Sequence, residues 1–367
     1  MSTIEPPKRL LFGPGPSQVE QRVYDAMAKP VVGYLDPYLF EVIDHVRSDL
    51  RTVFGTKNAF TLPISGTGSA GMETAISNFV EKGSKFAVFV NGFFGERIAE
   101  MGRRHGANLV RLDKPWGEAF TEAEAKAFLE REKPTACAFV HAETSTGVLQ
   151  NPLAITKTAR EMDMLVIADC VTSMGAVPIN VDASGIDIAF SCTQKGLSSV
   201  PGMSPFTASD KAIQQMDARK DPNLVWYLDL KLLREYYENK KYHHTAPVTN
   251  IYSLREALAA IMDEGMEKRF ARHAKAHESF VKRVEAMGLQ MLVAPGSRLP
   301  NLNTVRVPEG VADAPVRLKM LQEHGIEIAG GLGALAGKIF RVGVMGPLAD
   351  EKQLDVFFDA FAKCLKG

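Results

Sequence analysis

Helical-period segments alternate with short apolar runs from about residue 17 to residue 217, and this alternation constrains the fold more than any other feature of the chain. Five of the runs are predicted strands, at 85–90, 108–113, 136–141, 164–169 and 187–192. Each is nearly continuous in apolar character, as strands covered on both faces must be. The pattern predicts an α/β fold in which helices flank a parallel sheet.

The clearest helix is predicted over 37–54, where apolar residues recur at helical spacing between an N-cap at Asp36 and a terminating Gly55. After about residue 250 the chain changes to a long charged helical stretch (253 to about 287), short strands and a closing helix (350–364), typical of a smaller α+β unit. We divide the chain into an N-terminal arm (1–21), a large cofactor-binding domain (22–264) and a small C-terminal domain (265–367). The main irregular stretches are predicted before residue 17 and over 221–250.

The charges balance, with 43 lysines and arginines against 43 aspartates and glutamates in 367 residues. Proteins that bind nucleic acid or an anionic membrane need a large positive field, so neither is expected as a partner. Four scattered cysteines without a CxxC pair favour buried thiols in a reducing compartment. The N-terminus lacks the apolar core of a secretory signal. We expect an enzyme-sized, cytoplasmic protein.

Lys195 stands just after the predicted strand 187–192, in the segment Ser-Cys-Thr-Gln-Lys-Gly. A lone lysine is usually a solvated surface group. Ligands of parallel α/β sheets, however, bind outside the carboxyl ends of the strands. A lysine desolvated there presents a neutral amine, which makes Schiff-base chemistry plausible.

Asp169 ends the predicted strand 164–169 and precedes Lys195 by 26 residues. Taken alone, an aspartate after a strand is as often a turn residue or a helix cap as it is a functional group. A pyridoxal 5'-phosphate (PLP) enzyme requires this pair, because the lysine links to the cofactor and the carboxylate holds the pyridine nitrogen protonated. We expect the opposite charges to keep Asp169 ionised.

A Gly/Ser/Thr turn leads into an apolar-striped helix at 64–75. Its glycines and the positive end of the helix favour a phosphate, although such turns are also common as simple caps. The segment is neither a GxGxxG dinucleotide fingerprint nor a P-loop, since no GK[ST] follows.

Several segments together resemble one known family, the class V aminotransferases of the alanine/serine–glyoxylate type. The resemblance spans nearly the whole chain. Its motifs, in order, are LLFGPGPSQV, ISGTGSAGMETA, NGFFGER, HAETSTGVLQNPL, VIADCVTSMGAVPINVD, IDIAFSCTQKGL, YHHTAPVTNIYSLREAL and IEIAGGLGALAGKIFRVGVMG. It implies the PLP-dependent fold type I, with a mostly parallel seven-stranded sheet flanked by helices and a smaller C-terminal α+β domain.

The resemblance also implies a role for individual residues. Lys195 would link to PLP and move hydrogen between the substrate Cα and the cofactor, while Asp169 would pair with the pyridinium nitrogen. The remaining cofactor contacts would be made by Gly68, Ser69 and Gln194 at the phosphate, Phe94 on the ring face and Thr144 near the ring oxygen. Tyr242 and Thr245 would reach the phosphate from the neighbouring subunit, so a homodimer would complete the site.

For the substrate, the resemblance assigns Arg341 to the carboxylate, a task that suits its planar fork of donors, and places Tyr34 in a segment that lines the pocket. It implies a transaminase that works in two halves, with alanine or serine as donor and glyoxylate or pyruvate as acceptor. Ser69 stands where some relatives have histidine, which leaves donor and acceptor open. No second cation is assigned to a side-chain carboxylate, so acidic donors are disfavoured.

Other functions are weighed against this one. Another class V enzyme, such as a 2-aminoethylphosphonate-type transaminase or a desulfurase-type lyase, stays open, although a desulfurase needs a mobile cysteine and only Cys364 is a loose candidate. The missing GxGxxG opposes a nicotinamide oxidoreductase, and the Lys195–Asp169 pair opposes a silent binding protein. The pairs His243–His244 and His273–His277 lack accompanying ligands, so no metal is predicted. We expect His141 to be a packed, hydrogen-bonded residue.

Overall fold

The computed structural model describes residues 4–366, with strands and helices that alternate through the first two thirds of the chain. The strands, numbered β1 to β14 in chain order, are Leu10–Leu11, Phe60–Ser65, Lys85–Val90, Asn108–Asp113, Ala136–Val140, Ala142–Glu143, Val148–Leu149, Leu165–Asp169, Ile188–Phe190, Met203–Ala208, Leu302–Arg306, Ile326–Glu327, Ala329–Gly330 and Ile339–Gly343. The helices, numbered α1 to α13, are Gln21–Met27, Pro37–Phe54, Gly68–Phe79, Phe93–Arg104, Glu122–Glu132, Leu153–Glu161, Val181–Ser184, Asp210–Ala218, Leu230–Asn239, Val248–Glu264, Met266–Ala286, Asp313–His324 and Glu351–Leu365.

A seven-stranded sheet forms the centre of the large unit, in the order β2-β10-β9-β8-β5-β3-β4. The pairs from β9 to β4 are parallel, and β10 runs antiparallel to both of its neighbours. Helices pack on this sheet around one large apolar core. The predicted fold class is therefore confirmed, and the five predicted strands appear within two residues of their predicted bounds.

Two strands of this sheet, β2 and β10, were not among the strands predicted from their residues. Each contains a proline, and the pairing register sets Pro63 opposite Pro205. A proline inside an apolar run argues against a central strand, because it has no N–H to donate to the ladder. In this sheet the cost is small: β2 is the edge strand, and the carbonyl of Pro205 still accepts a hydrogen bond from Ser191 on the other side.

The predicted helix over 37–54 is confirmed as α2. The Asp36 carboxylate accepts a hydrogen bond from the Tyr38 N–H at 2.9 Å, and Gly55 ends the helix at φ 66°. The long stretch predicted over 253–287 is two helices, α10 and α11, that Gly265 separates. Its φ of 84° lies in the region that favours glycine, so a break was required there.

The segment 221–250, predicted as irregular, contains helix α9. This helix is amphipathic, and Tyr236 and Tyr237 on its apolar face are buried. The apolar spacing over Leu230, Leu233, Tyr236 and Tyr237 is helical, so the signal was present among the surrounding charged residues. The other aromatic residues of the segment, Trp226, Tyr227 and Tyr242, are exposed.

The C-terminal unit has its own sheet, in the order β11-β14-β13, and its own apolar core. The N-terminal arm belongs partly to this unit, because β1 pairs with β12 and Phe12 lies in the same core. The three-part division of the chain stays a prediction. All four cysteines are free and buried. Within residues 4–366, no helix combines the length and apolar character needed to cross a membrane.

Candidate active site

Lys195 lies in the loop after β9, at the carboxyl end of the parallel sheet, under the N-terminal arm. Its Nζ donates a hydrogen bond to the carbonyl of Pro14. The arm is held there by Ser17, whose Oγ donates to the carbonyl of Lys195 at 2.7 Å and whose N–H donates to that of Gln194 at 2.9 Å. Burial lowers the pKa of Lys195, the direction expected for a lysine whose neutral amine is available. The covering arm was not foreseen from the residues.

Asp169 ends β8 and is 2% exposed. Its Oδ1 accepts a hydrogen bond from the Val171 N–H at 2.9 Å, and within residues 4–366 its Oδ2 accepts none. Burial raises the pKa of Asp169 to about 7, while the charges of Arg97 and Lys195 lower it by less. The expectation that opposite charges keep this carboxylate ionised is therefore wrong for the protein alone, because desolvation outweighs them.

The start of α3 presents an anion cradle beside this pair. The N–H groups of Gly68 and Ser69 donate to no acceptor in the described part of the chain. A Cβ at residue 68 would lie 2.9 Å from Val171 Cγ2, so glycine permits the close packing of the loop. Gln194 places a buried Oε1 without a hydrogen-bond partner next to Lys195. The free N–H groups can receive a phosphate, whereas the Gln194 Oε1 is itself an acceptor.

Phe94 lies in the first turn of α4, which Glu143 holds in place. Glu143 is fully buried, and its Oε2 accepts hydrogen bonds from the N–H groups of Phe94 and Gly95 at 3.1 and 3.2 Å. Its Oε1 accepts from Ser145 N–H at 3.0 Å and from Ser145 Oγ at 2.5 Å. The neighbouring Thr144 is buried and shares a hydrogen bond with the hydroxyl of Thr172. Sequence reasoning missed Glu143.

Arg341 lies in the middle of β14 and is 6% exposed. Its Nε donates to the carbonyl of Gly330 at 2.7 Å, and its Nη1 reaches across to the carbonyl of Thr144 at 3.4 Å. Burial lowers the pKa of Arg341 to about 10, with the charge of Glu143 opposing the shift, so the guanidinium stays protonated at neutral pH. It makes no ion pair within residues 4–366, and a carboxylate ligand would supply one.

Arg97 also belongs to this region, although the sequence reasoning gave it no role. Its Nη1 donates to Ser69 Oγ at 3.2 Å, and its guanidinium carbon lies 4.8 Å from the centre of the Phe94 ring. A signal was present, because residues three and four apart on a helix are neighbours and Arg97 follows Phe94 and Phe93 at those spacings.

Tyr34, Tyr242 and Thr245 are exposed on the surface of the chain. The rings of Tyr34 and Tyr242 are 5.0 Å apart, and the Tyr236 hydroxyl donates to the carbonyl of Tyr34 at 2.7 Å. No hydrogen bond joins any of the three to Lys195 or Asp169 within the described residues. Their predicted roles stay predictions.

Of the histidines considered in the sequence, His141, His243, His244 and His273 are buried. His141 is buried, and its Nδ1 shares a hydrogen bond with Ser173 Oγ at 2.9 Å, as expected. His273 is also buried and accepts from the Gly346 N–H at 3.1 Å. Across residues 4–366, no three His, Cys, Asp or Glu side chains are grouped as a metal site requires.

This is the arrangement of an α/β enzyme whose polar groups converge at the carboxyl ends of parallel strands. The family model described as "Aminotransferase class-V" matches residues 9–346. The alanine–glyoxylate aminotransferase of Oryctolagus cuniculus is 36% identical over 365 residues, 98% of this chain and 93% of that protein. The (S)-ureidoglycine–glyoxylate transaminase of Bacillus subtilis (strain 168) is 34% identical over 359 residues, 93% of this chain and 86% of that protein.

Among solved structures, the alanine–glyoxylate aminotransferase from Nostoc sp. superposes with a TM-score of 0.98 at 44% identity, covering 100% of this chain and 97% of that one. The chain belongs to the class V aminotransferases, and the protein is an aminotransferase enzyme. The expected family is thereby confirmed.

Proposed function

We propose that this protein is a PLP-dependent transaminase that moves the amino group of alanine or serine to glyoxylate or pyruvate, and that it works as a homodimer. The observation that carries the proposal is the Lys195–Asp169 pair, in which a lysine with a lowered pKa lies near a buried carboxylate with one open oxygen. An amine that can lose its proton and an acid that can receive a ring N–H are the two groups that PLP chemistry demands.

The remaining polar groups fit the cofactor. The free N–H groups of Gly68 and Ser69 would hold its phosphate, and the NH₂ group of Gln194 would donate beside them. Asp169 would accept from its ring nitrogen, Phe94 would lie against the ring, and the Thr144 hydroxyl would face the ring oxygen. When bound, PLP supplies an aldehyde that links covalently to amines and a ring that accepts electrons from Cα.

Lys195, Arg341 and the N-terminal arm would each have a separate role toward the substrate. Lys195 Nζ takes and returns the proton at the substrate Cα, a role that its lowered pKa favours. Arg341 binds the substrate carboxylate and so orients Cα–H toward that amine. The arm over Lys195 limits the access of water to the amine.

The names of the two relatives differ in the amino donor and agree in the acceptor, because both are glyoxylate transaminases. Glyoxylate is therefore better supported than pyruvate as the acceptor. Arg341 can bind the carboxylate of any such substrate, so it does not select among small donors. The identity of the amino donor is therefore less well supported than that of the acceptor.

Exposed apolar side chains support the homodimer. Eight large ones fall in two short segments, namely Tyr24, Val31, Tyr34, Leu35 and Tyr38 in the first and Trp226, Tyr227 and Tyr242 in the second. The Tyr34–Tyr242 contact joins the segments into one patch, and contiguous exposed apolar surface marks interaction sites. If Tyr242 reaches the phosphate of a neighbouring subunit, Tyr34 accompanies it. The free cysteines favour a cytoplasmic location.

The visible spectrum of the purified protein tests the cofactor and the lysine. We expect a band from lysine-linked PLP that changes on addition of L-alanine or L-serine and is restored by glyoxylate. Lys195→Ala should lose both the band and steady turnover, whereas Lys268→Ala, at an exposed position, should keep them. A wild-type protein without the band, or a Lys195→Ala variant that turns over steadily, would refute the proposal.

Mixing two inactive variants tests the shared site. In a heterodimer of Lys195→Ala and Tyr242→Ala chains, one site combines the intact lysine of one chain with the intact tyrosine of the other. We expect activity to return to that site. If each chain used its own Tyr242, both sites of the heterodimer would carry a defect and no activity would return.

A further inference from the structure

Arg97 differs from the other arginines in and beside α4 in having no acidic partner. Arg103 and Arg104 both bind Glu100, and Arg111 binds Glu96 and Asp113. Arg97 makes no ion pair within residues 4–366. Its one side-chain hydrogen bond there runs from Nη1 to Ser69 Oγ, at 3.2 Å. A guanidinium that lies next to an open group of N–H donors and makes no ion pair within residues 4–366 can bind an anion.

The orientation of Arg97 is fixed by two aromatic rings. Its guanidinium carbon lies 4.8 Å from the centre of the Phe94 ring and 5.3 Å from that of Phe93. Such stacking favours the cation and limits its rotamers, so little conformational entropy is lost when the guanidinium binds a ligand. The planar fork of donors suits the oxygens of a phosphate.

The cradle by itself lacks charge. The N–H groups of Gly68 and Ser69, the Ser69 hydroxyl and the Gln194 amide are all neutral, whereas a phosphate monoester carries about −1.5 to −2 charges at neutral pH. Lys195 is occupied with the carbonyl of Pro14, and Arg341 donates to Gly330 and Thr144. Arg97 is the cation whose hydrogen bond ends on the cradle itself.

We propose that Arg97 binds the phosphate of the cofactor together with the N–H groups of Gly68 and Ser69. The inference rests on the proposed PLP-dependent function, and it assigns the charge-neutralising contact of that site. Arg97 thus forms one unit with Phe94, in which one turn of α4 supplies both the surface for the ring and the cation for the phosphate.

Pyridoxal, which lacks the phosphate, separates this role from a general effect on the site. Apoprotein is titrated with PLP and with pyridoxal, and binding is followed by absorbance. We expect Arg97→Gln to weaken PLP by about 10- to 100-fold, the range for a charge-assisted hydrogen bond, and to leave pyridoxal unchanged. The PLP affinity of Arg97→Lys should lie between those of the wild type and Arg97→Gln, because lysine keeps the charge and loses the planar fork of donors.

The matched control is Arg104→Gln, on the same helix, with a side chain 74% exposed and paired to Glu100. It should bind PLP and pyridoxal like the wild type. Inorganic phosphate gives a second measurement, since it should raise the melting temperature of the wild-type apoprotein more than that of Arg97→Gln. If Arg97→Gln fails to fold, the Arg97→Lys ratio of PLP to pyridoxal affinity decides the question in the same way.

Two results would overturn the assignment. Equal losses of PLP and pyridoxal affinity would show that Arg97 only supports the shape of the site. Unchanged PLP affinity would exclude the contact, and a raised KM for L-aspartate alone beside it would make Arg97 a ligand of a substrate side chain. A wild-type protein that does not bind PLP would refute the proposed function itself, an outcome distinct from these two.

Discussion

Asp169 and Glu143 are two buried carboxylates of the same site, and their surroundings differ. Glu143 accepts four hydrogen bonds, two on each oxygen, from the start of α4 and from Ser145. Asp169 accepts one, on Oδ1, from Val171. Burial raises the pKa of both groups. Hydrogen bonds from the chain therefore oppose the desolvation at four points in Glu143 and at only one in Asp169.

The difference indicates what each carboxylate does. A buried acceptor whose capacity is filled by its own backbone fixes a shape, and Glu143 fixes the first turn of α4, which carries Phe94 and Arg97. A buried acceptor with an open oxygen gains stability from a donor that comes from outside. Asp169 is in that position, and a protonated ring nitrogen is the donor that the proposed function supplies. The comparison leads to three predictions.

The largest effect is expected from Asp169→Asn. The amide keeps the size of the carboxylate and loses the charge that holds a ring nitrogen protonated. We expect kcat/KM to fall by about two orders of magnitude, the cost of about 3 kcal/mol for a charge-assisted hydrogen bond in a buried site. Steady-state assays with L-alanine and glyoxylate measure this loss.

The control is Asp163→Asn, at an exposed carboxylate that pairs with Lys211 on the surface. It should retain activity within about twofold, since surface ion pairs contribute little. An Asp169→Asn enzyme with wild-type kcat/KM would show that the open oxygen has no role in the reaction.

The next effect concerns stability and pH in the apoprotein. Because the pKa of Asp169 is about 7 in the folded chain, against 3.8 for an ordinary aspartate, the folded state binds more protons between about pH 4 and pH 7. Its free energy of unfolding therefore falls as the pH rises through that window. Asp169→Asn removes this penalty. The free energy of unfolding of the variant, relative to that of the wild type, should therefore rise by about 2–4 kcal/mol from about pH 5 to pH 8.

Urea unfolding of both apoproteins measures this difference. Burial also lowers the pKa of His141 to about 4 and of His273 to about 3, which makes stability rise with pH over part of the same window. Both histidines are present in both proteins, so their contribution cancels in the difference. A constant difference across the range would mean that Asp169 ionises like an exposed aspartate.

How much of this site could be predicted depends on how far apart in the sequence its interacting residues are. Lys195 and Asp169 were found because a polar residue after a short apolar run is a local pattern. Glu143 was missed because its partners on α4, Phe94 and Gly95, are 49 and 48 residues away. The spacing of Arg97 from Phe93 and Phe94 is a local pattern, but its contact with Ser69 spans 28 residues, and no local pattern marks such contacts. The Pro14–Lys195 contact spans 181 residues.

The fold shows the same limit. Five of the seven strands were recognised from their apolar runs, whereas β2 and β10 were not, because Pro63 and Pro205 interrupt the pattern that marks a strand. Their pairing, proline opposite proline, depends on a register between segments about 140 residues apart. Fold type and sheet size were nonetheless expected correctly from the family resemblance, which draws on the whole chain.

The smallest effect is expected from Glu143→Gln. A glutamine offers an acceptor on one side only, so its NH₂ must face either the N–H groups of Phe94 and Gly95 or that of Ser145. One side is then left unsatisfied, at a cost of about 1–3 kcal/mol. Relief of the buried charge offsets part of this cost. Urea unfolding of the apoprotein measures the net loss, and Glu96→Gln, at an exposed ion pair on α4, should lose less than about 1 kcal/mol.

Glu143→Gln also separates the two carboxylates in their effect on the cofactor. Because Glu143 acts through the start of α4, its loss should displace Phe94 and Arg97 together and so weaken both PLP and pyridoxal, with the larger loss for PLP, which alone has the phosphate. Arg97→Gln should weaken PLP alone. If Glu143→Gln kept wild-type stability and instead lost activity as strongly as Asp169→Asn, the carboxylate with filled hydrogen bonds would be acting in the reaction, and the distinction between a satisfied and an open buried acid would fail for this site.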